Sequence, residues 1–106
     1  MVCVFGCGGD KDRINRPLMG EISGRIADFT IITSDNPRTE EPYAIIREIE
    51  EGIKKTGAEF IAIVDRREAI KYSIINAKPE DIIILAGKGH ETYQIFKPFI
   101  LMSMKL

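Results

Sequence analysis

Asp35-Asn36-Pro37-Arg38 gathers a carboxylate, a carboxamide and a guanidinium around a residue that fixes its own backbone angle. Proline locks its φ and pushes Asn36 toward an extended conformation, so the turn can hold side chains in set directions. Arginine presents a planar donor fork that matches a carboxylate, and Asp35 offers a counter-charge for an amine. With Glu91 further along the chain, one arginine and two carboxylates suit a zwitterion such as an amino acid. The same four residues also suit an Asx turn in which Asp35 and Asn36 only cap backbone groups. The residues alone leave both readings open.

Two glycine-rich segments could hold an anion. Gly6-Cys7-Gly8-Gly9 is followed by Lys11, Arg13 and Arg16, just ahead of an expected helix start, where backbone N–H groups and the helix dipole favour negative charge. It is not a dinucleotide fingerprint, because G-x-G-x-x-G from Gly6 would need glycine at Lys11. Gly87-Lys88-Gly89 is not a Walker-type phosphate loop, which would need glycine at Ile82 and Ser or Thr at Gly89. Beyond it, Glu91 could accept hydrogen bonds from an ammonium group. His90, the sole histidine, could be a general base, but no Ser or Cys nucleophile stands beside it, so no residue is assigned a catalytic role.

These segments need a scaffold that brings them to one place, and the pattern of the chain supplies it. Val2–Phe5, Phe29–Thr33, Phe60–Val64 and Ile82–Ala86 are short apolar runs expected as four strands, the last buried on both faces. Three helices alternate with them. Pro17 opens the first, with Leu18, Ile22 and Ile26 as its expected core stripe. Pro42 opens the second, with Ile45, Ile46, Ile49 and Ile53 on one face. Asp65 and Glu68 make a capping arrangement ahead of Ala69, Ile70, Ile74 and Ala77, and Pro79 stops that third helix. Strands alternating with helices imply an α/β fold: a three-layer, Rossmann-like, mostly parallel sheet flanked by helices. Such sheets bind ligands in the loops at the carboxyl ends of their strands, here 6–16, 34–39 and 87–91.

Composition narrows the partners. A length of 106 residues is one domain, or most of one. Fifteen basic against sixteen acidic side chains, with no basic tract, argue against a dedicated nucleic-acid binder. No apolar run of about 18 residues is present to span a membrane, and the amino terminus lacks the pattern of a secretion signal. Two cysteines without Cys or His partners give neither a zinc site nor a disulfide framework. The expected setting is cytoplasmic, with no metal held by this chain.

Taken together, Val4-Phe5-Gly6-Cys7-Gly8-Gly9-Asp10, Arg16-Pro17-Leu18-Met19-Gly20, Asp35-Asn36-Pro37-Arg38 and Ala86-Gly87-Lys88-Gly89-His90-Glu91 resemble, in order and spacing, the carboxy-terminal domain of the Mur ligase family, and within it the diaminopimelate-adding branch. The resemblance covers roughly residues 2–96. It implies the amino-acid-binding domain of a three-domain cytoplasmic ligase of peptidoglycan synthesis. In such a ligase the central domain holds ATP and Mg²⁺ and the amino-terminal domain holds the UDP end of the UDP-N-acetylmuramoyl-dipeptide. A phosphorylated D-glutamate carboxylate is then attacked by the amine of meso-diaminopimelate. By position, the resemblance assigns diaminopimelate contacts to Lys11, Asp35, Asn36, Pro37, Arg38, Gly87 and Glu91, with lysine at position 11 where the family usually has arginine.

The same comparison makes residues 1–96 the domain, with an incomplete first strand–helix unit, and 97–106 an atypical apolar tail. On this reading the chain by itself is inactive. Its brevity also admits a free-standing, non-catalytic module for an amino acid or anion, or an inactive truncated remnant.

Overall fold

The computed structural model describes residues 1–9 and 13–86, and the backbone of 93–96. In chain order the elements are β1 (Val2–Phe5), α1 (Asn15–Ile26), β2 (Phe29–Ile32), α2 (Pro42–Lys54), β3 (Phe60–Ala62), α3 (Arg66–Asn76), β4 (Ile83–Ala86) and β5 (Tyr93–Phe96). The strands form one sheet in the order β3-β2-β1-β4-β5. The four expected strands are parallel to their neighbours. A fifth, not anticipated, runs antiparallel along β4, pairing Ala86 with Tyr93 and Ile83 with Phe96. The sheet is therefore mostly parallel, and the tail 97–106 lies outside the described residues.

Two cores sandwich the sheet. On one face Val2, Val4, Ile31, Ile83 and Leu85 pack with Ala69 and Ile74 of α3. On the other, Phe5, Cys7 and Ile32 pack with Ile45, Ile46, Ile49 and Ile53 of α2. Right-handed crossovers account for this division, since α1 and α2 carry the chain one way along the sheet and α3 carries it back. β4 is buried only alternately: Ile83 and Leu85 face α3, while Ile84 and Ala86 are half-covered on the opposite face.

α2 and α3 start where capping physics places them. The Glu41 carboxylate accepts from the Ala44 N–H at 3.0 Å, with Pro42 in the first helical turn. The Asp65 carboxylate accepts from the Glu68 N–H at 3.0 Å. Each cap contributes about 1 kcal/mol. The four buried isoleucines of α2 contribute about 1.5–3 kcal/mol apiece, so burial rather than capping holds α2 down. Gly57, with φ of 72°, reverses the chain after it.

α1 departs from expectation. Leu18, Ile22 and Ile26 do not face the core; they are exposed, in line with Ile14 one turn earlier. The inward face is Arg16, Gly20 and Ser23. A Cβ on Gly20 would lie 2.1 Å from the Ile49 carbonyl oxygen, and one on Gly52 would lie 1.7 Å from that of Pro17. α1 and α2 thus meet backbone to backbone, a separation at which only residues without bulk fit. The Ser23 and Thr30 hydroxyls, 2.7 Å apart, complete the contact of α1 with β2.

Candidate functional site

β1 and β2 end side by side, with Phe5 in register with Ile32. From β1 the chain moves through β2 to β3, and it returns to β4 on the other side of β1. The carboxyl end of β1 is therefore a switch point, where open α/β sheets form their ligand crevice. The strands that precede the three segments singled out in the sequence, β1 before 6–16, β2 before 34–39 and β4 before 87–91, are parallel and end at this edge. Lys11, Gly87 and Glu91 lie outside the described residues.

The first two loops are laced together. The Thr33 N–H donates to Phe5 O at 2.8 Å, and the Gly9 N–H donates to Asn36 O at 2.9 Å. A Cβ on Gly6 would lie 2.2 Å from Thr33 O, and one on Gly9 would lie 1.7 Å from Pro37 O. These glycines let the 6–9 backbone lie flush against the 33–37 backbone. On its far side the second loop is held by Val64, whose carbonyl accepts from the Ser34 N–H and from the Thr33 hydroxyl, both at 3.1 Å.

Within the turn the four expected site residues separate. Asp35 is 8% exposed, Pro37 is half-buried, and Asn36 and Arg38 are exposed. Asn36 is not extended as the following proline would favour; its φ is 45°, and that of Arg38 is 53°. Asn tolerates this left-handed region. Arg38 does so at roughly 1–2 kcal/mol of strain, which persists only because the surroundings over-determine it. The result is an exposed arginine beyond the carboxyl end of β2, with no ion-pair partner among the described residues. The Asp35 carboxylate sits beneath the turn rather than on its surface.

Two of the cations expected around an anion, Arg13 and Arg16, are otherwise engaged. Arg16 lies inside α1 and is fully buried. Its Nη1 and Nη2 donate to the two carboxylate oxygens of Glu40 at 2.9 and 2.7 Å, Nη2 also donates to Gly8 O at 3.0 Å, and Nη1 reaches Glu48 at 3.3 Å. The hydrogen bonds it donates to Glu40 raise its already high pKa, so it stays charged. Arg13 donates to the other oxygen of Glu48 at 3.0 Å. Arg66, in the first turn of α3, donates to Ala86 O at 3.2 Å and so steadies the exit of β4. Sequence reasoning did not find Glu40, Glu48 or Arg66, and it read Arg16 only as an anion contact. An arginine and two glutamates more than twenty residues apart carry no local signal of pairing.

Among the described residues no group of three or more His, Cys, Asp or Glu could hold a metal ion, and no helix is long and apolar enough to cross a membrane. A cavity of about 240 Å³ opens at the opposite, amino end of the strands, lined in part by Val2, Phe29, Tyr72 and Asp81. It lies at the other end of the sheet from the 34–39 turn.

Residues 1–89 match the family model described as Mur ligase, glutamate ligase domain, and the chain belongs to that family. It is 64% identical over 94 residues to the UDP-N-acetylmuramoyl-L-alanyl-D-glutamate–2,6-diaminopimelate ligase of Caldanaerobacter subterraneus subsp. tengcongensis, covering 89% of this chain and 20% of that protein. The ligase of the same name from Clostridioides difficile is 57% identical over 95 residues, covering 90% of this chain and 20% of its own length. A solved structure of such a ligase matches 97% of this chain and 23% of its own chain, with a TM-score of 0.78 at 42% identity. The chain thus spans about a fifth of the length of the curated relatives it matches.

Proposed function

We propose that this chain is the amino-acid-binding domain, over residues 1–96, of a ligase that adds meso-2,6-diaminopimelate to UDP-N-acetylmuramoyl-L-alanyl-D-glutamate in cytoplasmic peptidoglycan synthesis. The observation that carries the reading is Arg38, exposed at a strand exit and without an ion-pair partner among the described residues. Diaminopimelate differs from lysine by a carboxylate on its distal carbon. A guanidinium pairs with that group at about 1.5–3 kcal/mol, roughly ten- to a hundred-fold in affinity, and gains nothing from lysine. Asn36 and Pro37 line the same turn, Asp35 supports it from beneath, and Lys11, Gly87 and Glu91 are assigned to the remaining polar groups of the amino acid. The names of the relatives support this substrate pair.

ATP and Mg²⁺ are assigned to a central domain outside this sequence. The chain has no phosphate loop of the Walker spacing, and the described residues offer no acidic or histidine cluster for the metal. In the whole ligase, ATP supplies the activation of the D-glutamate carboxylate. This domain's part is to hold the incoming amine toward it and to recognise the far end of the amino acid.

Titrating the chain with meso-diaminopimelate, L-lysine and inorganic phosphate, followed by amide NMR shifts, tests the reading. Diaminopimelate should bind at least ten-fold tighter than lysine, and Arg38→Ala should erase that preference. Equal binding of the two amino acids, or a preference that survives Arg38→Ala, would overturn it. Phosphate binding without amino-acid selectivity would favour a plain anion module. The purified chain should release no phosphate from ATP; measurable hydrolysis would sink the assignment of triphosphate chemistry to another domain.

A further inference from the structure

A fully buried arginine is an unusual way to fill space. Removing a guanidinium from water is expensive, and apolar residues of similar volume commonly replace buried ion pairs without loss of stability. What Arg16 does, and an apolar residue could not, is grip three segments at once: Gly8 O in the loop after β1, the Glu40 carboxylate in the loop after β2, and Glu48 in α2. Both loop contacts lead directly into the Arg38 turn. The Glu40 N–H donates to Pro37 O at 3.0 Å, and Gly9, the neighbour of Gly8, donates its N–H to Asn36 O at 2.9 Å. The turn is thus held on both sides of Pro37 by groups adjacent to those that Arg16 binds. The two-point pairing with Glu40 fixes direction as well as distance, which a lysine ammonium cannot reproduce.

We infer that Arg16 is the positioning residue of the amino-acid site: it sets the left-handed geometry of Asn36 and Arg38, and through it the discrimination between a distal carboxylate and none. This inference rests on the amino-acid-binding reading for its selectivity claim, and on geometry alone for the positioning.

The variants are Arg16→Lys and the milder Glu40→Gln, which keeps an acceptor while removing the charge. Each is read by amide hydrogen exchange and by titration with meso-diaminopimelate and L-lysine. Arg16→Lys should speed exchange of the Gly9 amide at least ten-fold relative to Val4 in β1, and should lower the diaminopimelate-to-lysine affinity ratio at least ten-fold. Glu40→Gln should shift both in the same direction by less. A merely structural role would weaken both amino acids alike and leave their ratio intact. Folded variants that keep the Gly9 protection and the affinity ratio of the parent overturn the inference, and if Arg16→Lys does not fold, Glu40→Gln decides. A parent chain that fails to distinguish the two amino acids overturns the reading of the site instead. The Gly9 exchange rate then still decides whether Arg16 holds the turn.

Discussion

Gly52→Ala is expected to lower the stability of the chain by about 3 kcal/mol, the upper end of what overpacking costs. Two effects compete at this position. In a solvent-facing helix interior, alanine in place of glycine stabilises by up to about 1 kcal/mol. Here the added methyl would sit 1.7 Å from the carbonyl oxygen of Pro17 and 2.5 Å from its carbon. That neighbour is main chain in the first turn of another helix, so relief requires α1 and α2 to separate, and the steric effect wins. For a domain of this size the loss corresponds to a fall of roughly 12–24 °C in the unfolding midpoint, read by circular dichroism. Gly24→Ala is the informative contrast. Its methyl would meet mainly the side chains of Thr56 and Ile53, which can rotate aside, so the fall should be clearly smaller. An unchanged midpoint for Gly52→Ala would mean that the two helices are not in backbone contact.

Gly9→Ala should strike recognition harder than folding. A methyl at this position would lie 1.7 Å from Pro37 O and 2.3 Å from its carbonyl carbon. The 34–39 turn must then move by about an ångström, taking Arg38 with it and breaking the bond from the Gly9 N–H to Asn36 O. Displacements of that size in a preorganised site are worth on the order of 100-fold. Affinity for meso-diaminopimelate should fall by about that factor, measured by titration, while the sheet, held by the two cores beneath, keeps most of its stability. Retained affinity would show that the two loops can slide past each other, and that the lacing of 6–9 to 33–37 is not what aims the arginine.

Much of the scaffold was legible before any coordinates, for reasons that name particular residues. Ile45, Ile46, Ile49 and Ile53 carry a helical period bounded by Pro42 and Gly57, so α2 could be placed and its inward face chosen. Asp65 with Glu68 likewise marked the start of α3. α1 was located correctly and turned the wrong way, because a period says which residues share a face and not which face is covered. Gly20 and Gly24 were the signal for close helix contact, outweighed by the more conspicuous Leu18, Ile22 and Ile26. β5 was missed because only three residues, His90, Glu91 and Thr92, separate it from the glycine-rich segment before it. At the site, Asp35-Asn36-Pro37-Arg38 stood out by type. The depth of Asp35, the left-handed φ of Asn36 and the grip of Arg16 on Glu40 did not, since each depends on loops from different strands meeting.

The strand order has a consequence for how the chain is made. β1 is the spine of the sheet, yet one of its edges pairs with β2 while the other waits for β4, with Val2 opposite Ile83. On a ribosome adding 5–20 residues per second, roughly 3–10 s separate the emergence of those two partners. Throughout that interval the nascent polypeptide carries a bare, strongly apolar strand edge, the kind of template on which wrong partners assemble. Closure between such distant segments is also the slow step expected of non-local topologies. The carboxyl end of β1, flanked by both of its partner strands, is therefore among the last features to form, completed only when the chain doubles back.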